Sequence, residues 1–217
     1  MSTTGPRLAY SRARHRETLR EISDKELLLA LRDHADESAL DELIGRKTKA
    51  LVAAAERIVH DREEARDIVQ VGFLRLWEHR DRYDERWSAN TWIYRIVTNL
   101  AIDQLRSRQS RQKQDEPLRL YTQSKLDNRA QRDRADLQRE EIDGIFQELS
   151  TALTDKQRAV FLLREIEGMP SKEVAAIVGC RESTVRNHLF NARKILRREL
   201  QARYPEYARG RRSEAEG

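Results

Sequence analysis

Residues Ser171–Leu200 read SKEVAAIVGCRESTVRNHLFNARKILRREL. Val174, Ala175, Ile177 and Val178 make a short apolar stretch at helical spacing, opened by Ser171. Gly179 ends it, because glycine accepts the left-handed conformation that closes a helix. Three residues later a long stripe begins, carrying Val185, Leu189, Ala192, Leu196 and Leu200. A short helix, a glycine turn and a long helix form the helix-turn-helix pattern. Val174, Ile177, Val178, Val185 and Leu189 are expected to bury where the helices cross. The outer face of the long helix then carries Arg181, Glu182, Ser183, Arg186, Asn187, Asn191 and Lys194. Such residues read base edges or grip phosphates in a major groove. The bland alternative is a helical hairpin with a charged exterior.

Working outward, Ile142, Ile145, Phe146 and Leu149 precede this unit. Thr154-Asp155 is placed to cap a helix bearing Val160, Phe161, Leu163 and Ile166, which Gly168 stops. Toward the N-terminus the same three-and-four spacing recurs. Leu27, Leu28 and Leu31 follow a cap at Ser23-Asp24, then come Leu40, Leu43, Ile44, Leu51, Val52, Ala55, Ile58 and Val59. Ile68, Val69, Phe73, Leu76 and Trp77 form the next face. Ile93, Ile96, Val97, Leu100 and Leu105 form another, expected to start near Thr91. No strand alternation runs longer than a few residues. The chain reads as all-α, with two small helical domains joined by a flexible linker, the C-terminal one a helix-turn-helix. The expected organisation is a basic, disordered N-terminus (1–20), a helical domain (21–112), a linker (113–139), the helix-turn-helix domain (140–203) and a disordered tail (204–217).

Composition narrows the function. The 217 residues are 36% charged and 38% hydrophobic, with only 8 Gly and 4 Pro, which argues against a loop-rich all-β chain. No apolar run approaches the roughly 18–20 residues of a membrane span. Met1–Arg20 lacks the apolar core of a signal peptide. A single cysteine, Cys180, excludes an internal disulfide and a Cys-rich zinc site, and a reducing, cytoplasmic setting fits. The five histidines are scattered, without metal spacing or a nucleophile–base grouping. The expectation is a protein that is not an enzyme, with no cofactor, no metal, no small-molecule substrate and no membrane insertion. The net charge of +5 is modest, but it is gathered in segments. Met1–Arg20 carries five Arg and one Glu, Arg106–Arg139 ten basic and five acidic residues, and Arg181–Leu200 six basic and two acidic. Charge grouped in this way suits a polyanion such as nucleic acid.

A second signal is Tyr83–Arg108, YDERWSANTWIYRIVTNLAIDQLRSR. Around its apolar stripe lie Trp87, Trp92, Tyr94, Arg95, Asn99, Asp103, Gln104 and Arg106. Aromatics interleaved with arginines and amides suit unstacked, single-stranded bases. A polar loop at Asp84–Asn90 could form a pocket for a flipped base. The alternative is that these are core and boundary aromatics of a bundle.

With these stretches in view, the chain resembles a bacterial extracytoplasmic-function (ECF) sigma factor of the sigma-70 family. Asp61–Trp77, DREEARDIVQVGFLRLW, is similar to the family's core-polymerase-binding stretch through Ala65, Asp67, Gln70, Phe73, Leu74 and Trp77. Thr91-Trp92, Tyr94-Arg95-Ile96, Asn99 and Asp103 match its −10 segment, and Leu153–Leu200 resembles its −35-reading domain. Departures stand out. Leu40, Ile44 and Lys47 replace aromatics, and Arg66 and Val71 stand where acidic residues are usual. Gly72 replaces a larger residue inside a helix, at a cost of about 1 kcal/mol. In the base-pocket loop Glu85 stands where Gly is common, and Ala89 where an aromatic is. Arg181 sits where a capping residue would be favoured.

The resemblance implies a promoter-specificity subunit that binds core RNA polymerase and promoter DNA, with an anti-sigma factor as a further partner. It implies polymerase contacts at Asp67, Gln70, Phe73, Leu74 and Trp77. It implies −10 contacts at Trp92, Tyr94, Arg95, Asn99, Asp103 and Arg106. It implies −35 contacts at Arg181, Ser183, Arg186, Asn187 and Lys194. Two sites two helical turns apart are about 70 Å apart along DNA. A linker of about 30 residues reaches roughly 100 Å extended but only about 45 Å as a helix, so it is expected to be largely non-helical when bound. The rival reading is a helix-turn-helix regulator that binds duplex operators without being a polymerase subunit. Against it, the first half lacks the pattern of an α/β receiver or ligand domain.

Overall fold

The structure, a computed structural model, describes residues 18–114 and 134–205. Every regular element among them is helical: α1 (Asp24–His34), α2 (Glu37–Val59), α3 (Arg62–Glu78), a 3₁₀ turn (Arg80–Arg82), α4 (Ala89–Gln114), α5 (Arg134–Ser150), α6 (Asp155–Phe161), α7 (Ser171–Val178) and α8 (Glu182–Arg203). Contacts divide them into two compact units. The first comprises residues up to 56 together with Asp61–Leu100, and the second comprises Arg57–His60 with the chain from Ala101 onward. Helix α4 crosses this division. It extends to Gln114 and α5 begins at Arg134, so helix covers both ends of the segment expected to be linker. The intervening 115–133, on which the non-helical expectation falls, lies outside the described residues, as do 1–17 and 206–217.

In the first unit short polar side chains set the helix starts. Ser23 and Glu26 form a reciprocal capping box on α1: the Ser23 N–H donates to Glu26 Oε2 at 2.7 Å, and the Glu26 N–H returns to Ser23 Oγ at 3.3 Å. Asp36 Oδ1 accepts the N–H groups of Ser38 and Ala39 ahead of α2, and Asp61 Oδ1 accepts that of Glu64 on α3. Ser88 Oγ accepts the Thr91 N–H, which starts α4 two residues earlier than the apolar stripe suggested. Behind these caps Leu27, Leu28, Leu31, Leu43, Leu51, Leu76 and Ile93 are fully buried. Each such side chain contributes about 1.5–3 kcal/mol.

Gly72 explains itself here. It is buried on α3, and a Cβ at this position would lie 2.9 Å from Val97 Cγ2 and 3.9 Å from Leu100 Cδ1 on α4. The missing side chain lets α3 close onto α4. The helix-propensity cost is accepted in exchange for that approach.

The second unit is built around α8. Leu149 and Leu153 meet Ala192 and Leu196, with Phe146 stacked on Phe161 at 5.5 Å between centroids. Thr154 caps α6 through a capping box with Gln157. Arg158 is buried, and donates Nε and an Nη to the Ser150 carbonyl at 3.2 and 3.0 Å, which satisfies the end of α5. Helix α6 runs on into a π-helical turn, Leu162–Ile166, and Gly168 leaves it at φ 67°. Gly179 closes α7 in the same left-handed conformation, and the Cys180 N–H returns to the Ala175 carbonyl at 3.0 Å. Val174, Ile177, Val178 and Val185 are buried at the crossing as expected, whereas Leu189 is half-buried.

Gly72→Ala tests the α3–α4 approach. Overpacking against Val97 costs about 1–3 kcal/mol, partly offset by the helix propensity that alanine gains, so thermal unfolding is expected at lower temperature. In a Val97→Ala background the same substitution should be neutral or stabilising by up to about 1 kcal/mol. Equal effects in both backgrounds would show that Val97 does not set the spacing.

Candidate nucleic-acid and partner interfaces

On α8 the outward side chains fall where the sequence put them. Arg181, Ser183, Arg186, Asn187 and Lys194 are all exposed, as is Asn191, while Val185, Ala192 and Leu196 face inward. Arg186 lies 3.5 Å from Glu182, a solvent-screened pair on the same face that DNA can displace at small cost. The face also carries Phe190, 67% exposed, one helical turn from both Arg186 and Lys194. Its position off the stripe of Val185, Leu189, Ala192 and Leu196 is the signal that the sequence offers for it. An exposed aromatic among exposed polar residues has the chemistry to contact a thymine methyl. His188 is half-buried, and burial, followed by nearby Lys156, lowers its pKa from the ordinary histidine value. Farther along, Arg193 donates to Glu165 at 2.7 Å and Arg198 to Glu199 at 2.8 Å, while Arg197 is exposed. Arg181 occupies the N-cap position of α8 without a side-chain cap.

The loop between the 3₁₀ turn and α4 is held from beneath by two basic residues. Arg32 on α1 donates to the Tyr83 carbonyl at 3.4 Å and to Glu85 Oε1 at 3.2 Å. Lys25 lies 3.5 Å from the other Glu85 oxygen. Glu85, where the family commonly has glycine, is thereby an anchor. Within the loop Arg86 clasps Asp84, whose carboxyl is held below the usual range by that hydrogen bond. Lys47 donates to Asn90 Oδ1 at 2.8 Å and also pairs with Asp24, which ties the start of α4 to α2. Tyr83 is buried edge-on against Trp92, at 6.0 Å between ring centroids. Burial raises the Tyr83 phenol above its ordinary pKa.

Helix α4 divides the expected −10 residues. Arg95 and Asn99 are exposed, and farther along Asp103 and Arg106 are exposed and 3.8 Å apart. Trp92 is half-buried, and its indole N–H is buried with no hydrogen-bond partner among the described residues. Tyr94 corrects the sequence reading. It is 4% exposed and belongs to the core, because its position on the turn faces inward with Ile93 and Val97.

Between α2 and α3 lies an open apolar groove of about 860 Å³. Leu40, Ile44 and Val52 line one wall, Val69, Gln70, Leu74 and Trp77 the other, with Glu37 and Asp41 at the N-terminal end of α2. Leu74 is 63% exposed. Of the expected polymerase contacts, Gln70, Leu74 and Trp77 line this groove. Asp67 is exposed on α3 outside the lining. Phe73, 7% exposed, also lines the groove and forms its floor. Arg80 stacks on the Trp77 ring at 4.5 Å and donates to its carbonyl at 2.7 Å, fixing that aromatic wall. The atypical Leu40 and Ile44 are half-buried wall residues, so the groove keeps its apolar character without aromatics there.

Among the described residues every element is helical, with a groove and exposed polar residues in one unit and a helix-turn-helix in the other. Comparison with known proteins names the class. The Sigma-70 region 2 family model matches residues 43–111, and the Sigma-70, region 4 model matches residues 143–196. The chain is 28% identical over 171 residues to the RNA polymerase sigma-H factor of Pseudomonas aeruginosa, covering 76% of this chain and 88% of that protein. It is 28% identical over 171 residues to the ECF RNA polymerase sigma factor SigW of Bacillus subtilis, covering 76% and 90%. It is 33% identical over 160 residues to the probable RNA polymerase sigma factor RfaY of Xanthomonas campestris, spanning 74% of this chain but only 40% of that protein. Among solved structures, the sigma factor RpoE in complex with the anti-sigma factor NepR from Bartonella quintana has the same fold, with a TM-score of 0.60, 23% identity and coverage of 75% and 97%. The chain belongs to the sigma-70 family and is of the ECF type. Among the described residues no helix is long and apolar enough to cross a membrane, and no group of three or more His, Cys, Asp or Glu could hold a metal ion.

Arg32→Ala should release the loop. Hydrogen exchange at the amides of 84–88 is expected to accelerate by tenfold or more, about 1.4 kcal/mol of lost local protection, with α3 unchanged. Unchanged exchange would remove Arg32 as the loop's anchor.

Proposed function

We propose that this sigma factor divides its work among three surfaces. Core RNA polymerase docks on the α2–α3 groove through Gln70, Leu74 and Trp77, with Asp67 beside it and Phe73 as the floor. The melted −10 strand lies along α4, where Trp92 offers a ring face, and Arg95, Asn99, Asp103 and Arg106 offer exposed polar groups. The −35 duplex takes α8 in its major groove, with Arg181, Ser183, Arg186, Asn187, Phe190 and Lys194 toward the bases. The mechanism is binding: the strand is held open by stacking and by hydrogen bonds to exposed base edges. An anti-sigma factor is the second protein partner in this reading, on the strength of family membership.

The observation that carries the reading is the order of surfaces on one chain. The region 2 match contains α3 and the −10 candidates, and the region 4 match contains the helix-turn-helix with its exposed polar face. An operator-binding regulator would need the second surface and has no use for the first.

Transcription with sigma-free core polymerase tests the three assignments separately. Gln70→Ala with Leu74→Asp should abolish co-migration of the chain with core on gel filtration while helicity is retained. Trp92→Ala should lose open complexes on duplex promoter by about 1–3 kcal/mol, and recover on a pre-melted template. Arg186→Ala in the holoenzyme should cost about 1–3 kcal/mol and relax preference at one upstream base pair. Arg197→Ala should weaken all upstream sequences alike and lower the salt slope by about one unit. Equal loss for every sequence on Arg186→Ala would make it a phosphate anchor instead.

A further inference from the structure

We propose that Arg32 on α1 is a positioning residue for base selection at the −10 element, acting through Glu85 and the Tyr83 carbonyl; this rests on the assignment of the −10 strand to α4 and the loop before it.

Residues 83–88 lie between the 3₁₀ turn and α4 and form no helix of their own. Side-chain bonds give them their shape. Helix α1 packs against the 3₁₀ turn, which brings Arg32 beside the loop. One Nη donates to the Tyr83 carbonyl at 3.4 Å, and the other to Glu85 Oε1 at 3.2 Å. Asp33 accepts from the Arg32 Nε at 2.7 Å, which fixes the plane of the fork. Lys25, on the same helix, lies 3.5 Å from the second Glu85 oxygen. Helix α1 thus sets two cations on one loop carboxylate. Glycine, common in the family at this position, has no side chain for Arg32 to hold, so the anchor is a property of the present chain.

What Arg32 holds is joined to the proposed strand contacts. Tyr83 is buried, and its hydroxyl donates to the Trp87 carbonyl at 3.3 Å. Its ring stands edge-on to Trp92, with 6.0 Å between centroids. The Trp87 N–H closes a turn on the Asp84 carbonyl at 3.0 Å. The Tyr83 backbone therefore sets the loop's turn and the ring beside Trp92 together. An ion pair as exposed as Arg32–Glu85 adds little to global stability. A loop is more sensitive, because it opens at the low end of the free-energy range. If the shape that fits a base falls to a tenth of the population, apparent affinity for that base falls about tenfold, and a strand that does not use the loop loses nothing. Arg32 acts on preference among bases, not on polymerase binding.

The test uses the full chain assembled with core polymerase and a library of single-stranded DNA oligonucleotides randomised in sequence. Bound oligonucleotides are sequenced, and base preferences are compared among variants that retain helicity. Arg32→Ala should flatten the preference at the positions facing the loop by up to about tenfold, with co-migration with core unchanged. Glu85→Ala should flatten it at the same positions. The double variant should be no worse than Arg32→Ala alone, because the two residues act as one. If Arg32→Ala does not fold, Glu85→Ala decides alone. Unchanged preference, equal loss for every sequence, or additive losses would overturn the positioning role. Trp92→Ala and Asn99→Ala separate the two readings. If they alter selection while Arg32→Ala and Glu85→Ala do not, the −10 assignment stands and the positioning role fails. If they leave both selection and binding unchanged, the −10 assignment fails and the positioning role falls with it.

Discussion

The first unit depends on one close approach. Gly72 brings α3 within a methyl's reach of Val97 on α4. Because that side of α3 is spent on α4, its opposite side, with Gln70, Leu74 and Trp77, is left to form the groove with α2. Likewise the inward turn of α4 takes Ile93, Tyr94 and Val97, and leaves Arg95 and Asn99 outside. A larger residue at Gly72 would push apart two helices that each carry a proposed binding surface on the other flank. The glycine is therefore a spacing element, and its cost in helix propensity is small beside the packing it permits.

Around that pair, cations hold the irregular chain. Arg46 gathers three backbone carbonyls ahead of α1, Arg32 holds the Tyr83 carbonyl and Glu85, and Arg158 closes the carbonyl end of α5. Guanidinium suits each task, since it offers several donors in a plane and stays charged when partly buried. The basic residues of this protein thus fall into two populations. One satisfies the chain's own oxygens. The other, on α8 and along α4, is presented outward. Net charge alone does not separate them.

The sequence made the helices legible because their punctuation is chemical. Ser23, Asp61, Thr154, Gly168 and Gly179 each act through a local bond or dihedral that needs no partner from afar. The exposed face of α8 was equally legible, because a stripe as regular as Val185, Ala192 and Leu196 fixes its complement. What failed depended on tertiary packing. Tyr94 and Trp92 look alike as aromatics two residues apart, yet one is core and the other half-open, a difference set by which side of α4 meets α3. Gly72 and Glu85 read as departures until Val97, Arg32 and Lys25 supplied their reasons.

The connections between helices carry a kinetic consequence. Only Ala35 and Asp36 separate α1 from α2, and only His60 and Asp61 separate α2 from α3. These two turns close at little loop-closure entropy, and helical domains of this kind fold in microseconds to milliseconds. Translation adds about 5–20 residues per second. Each helical hairpin therefore has time to equilibrate before the next residue leaves the ribosome, and the first unit is complete seconds before the helix-turn-helix has been synthesised.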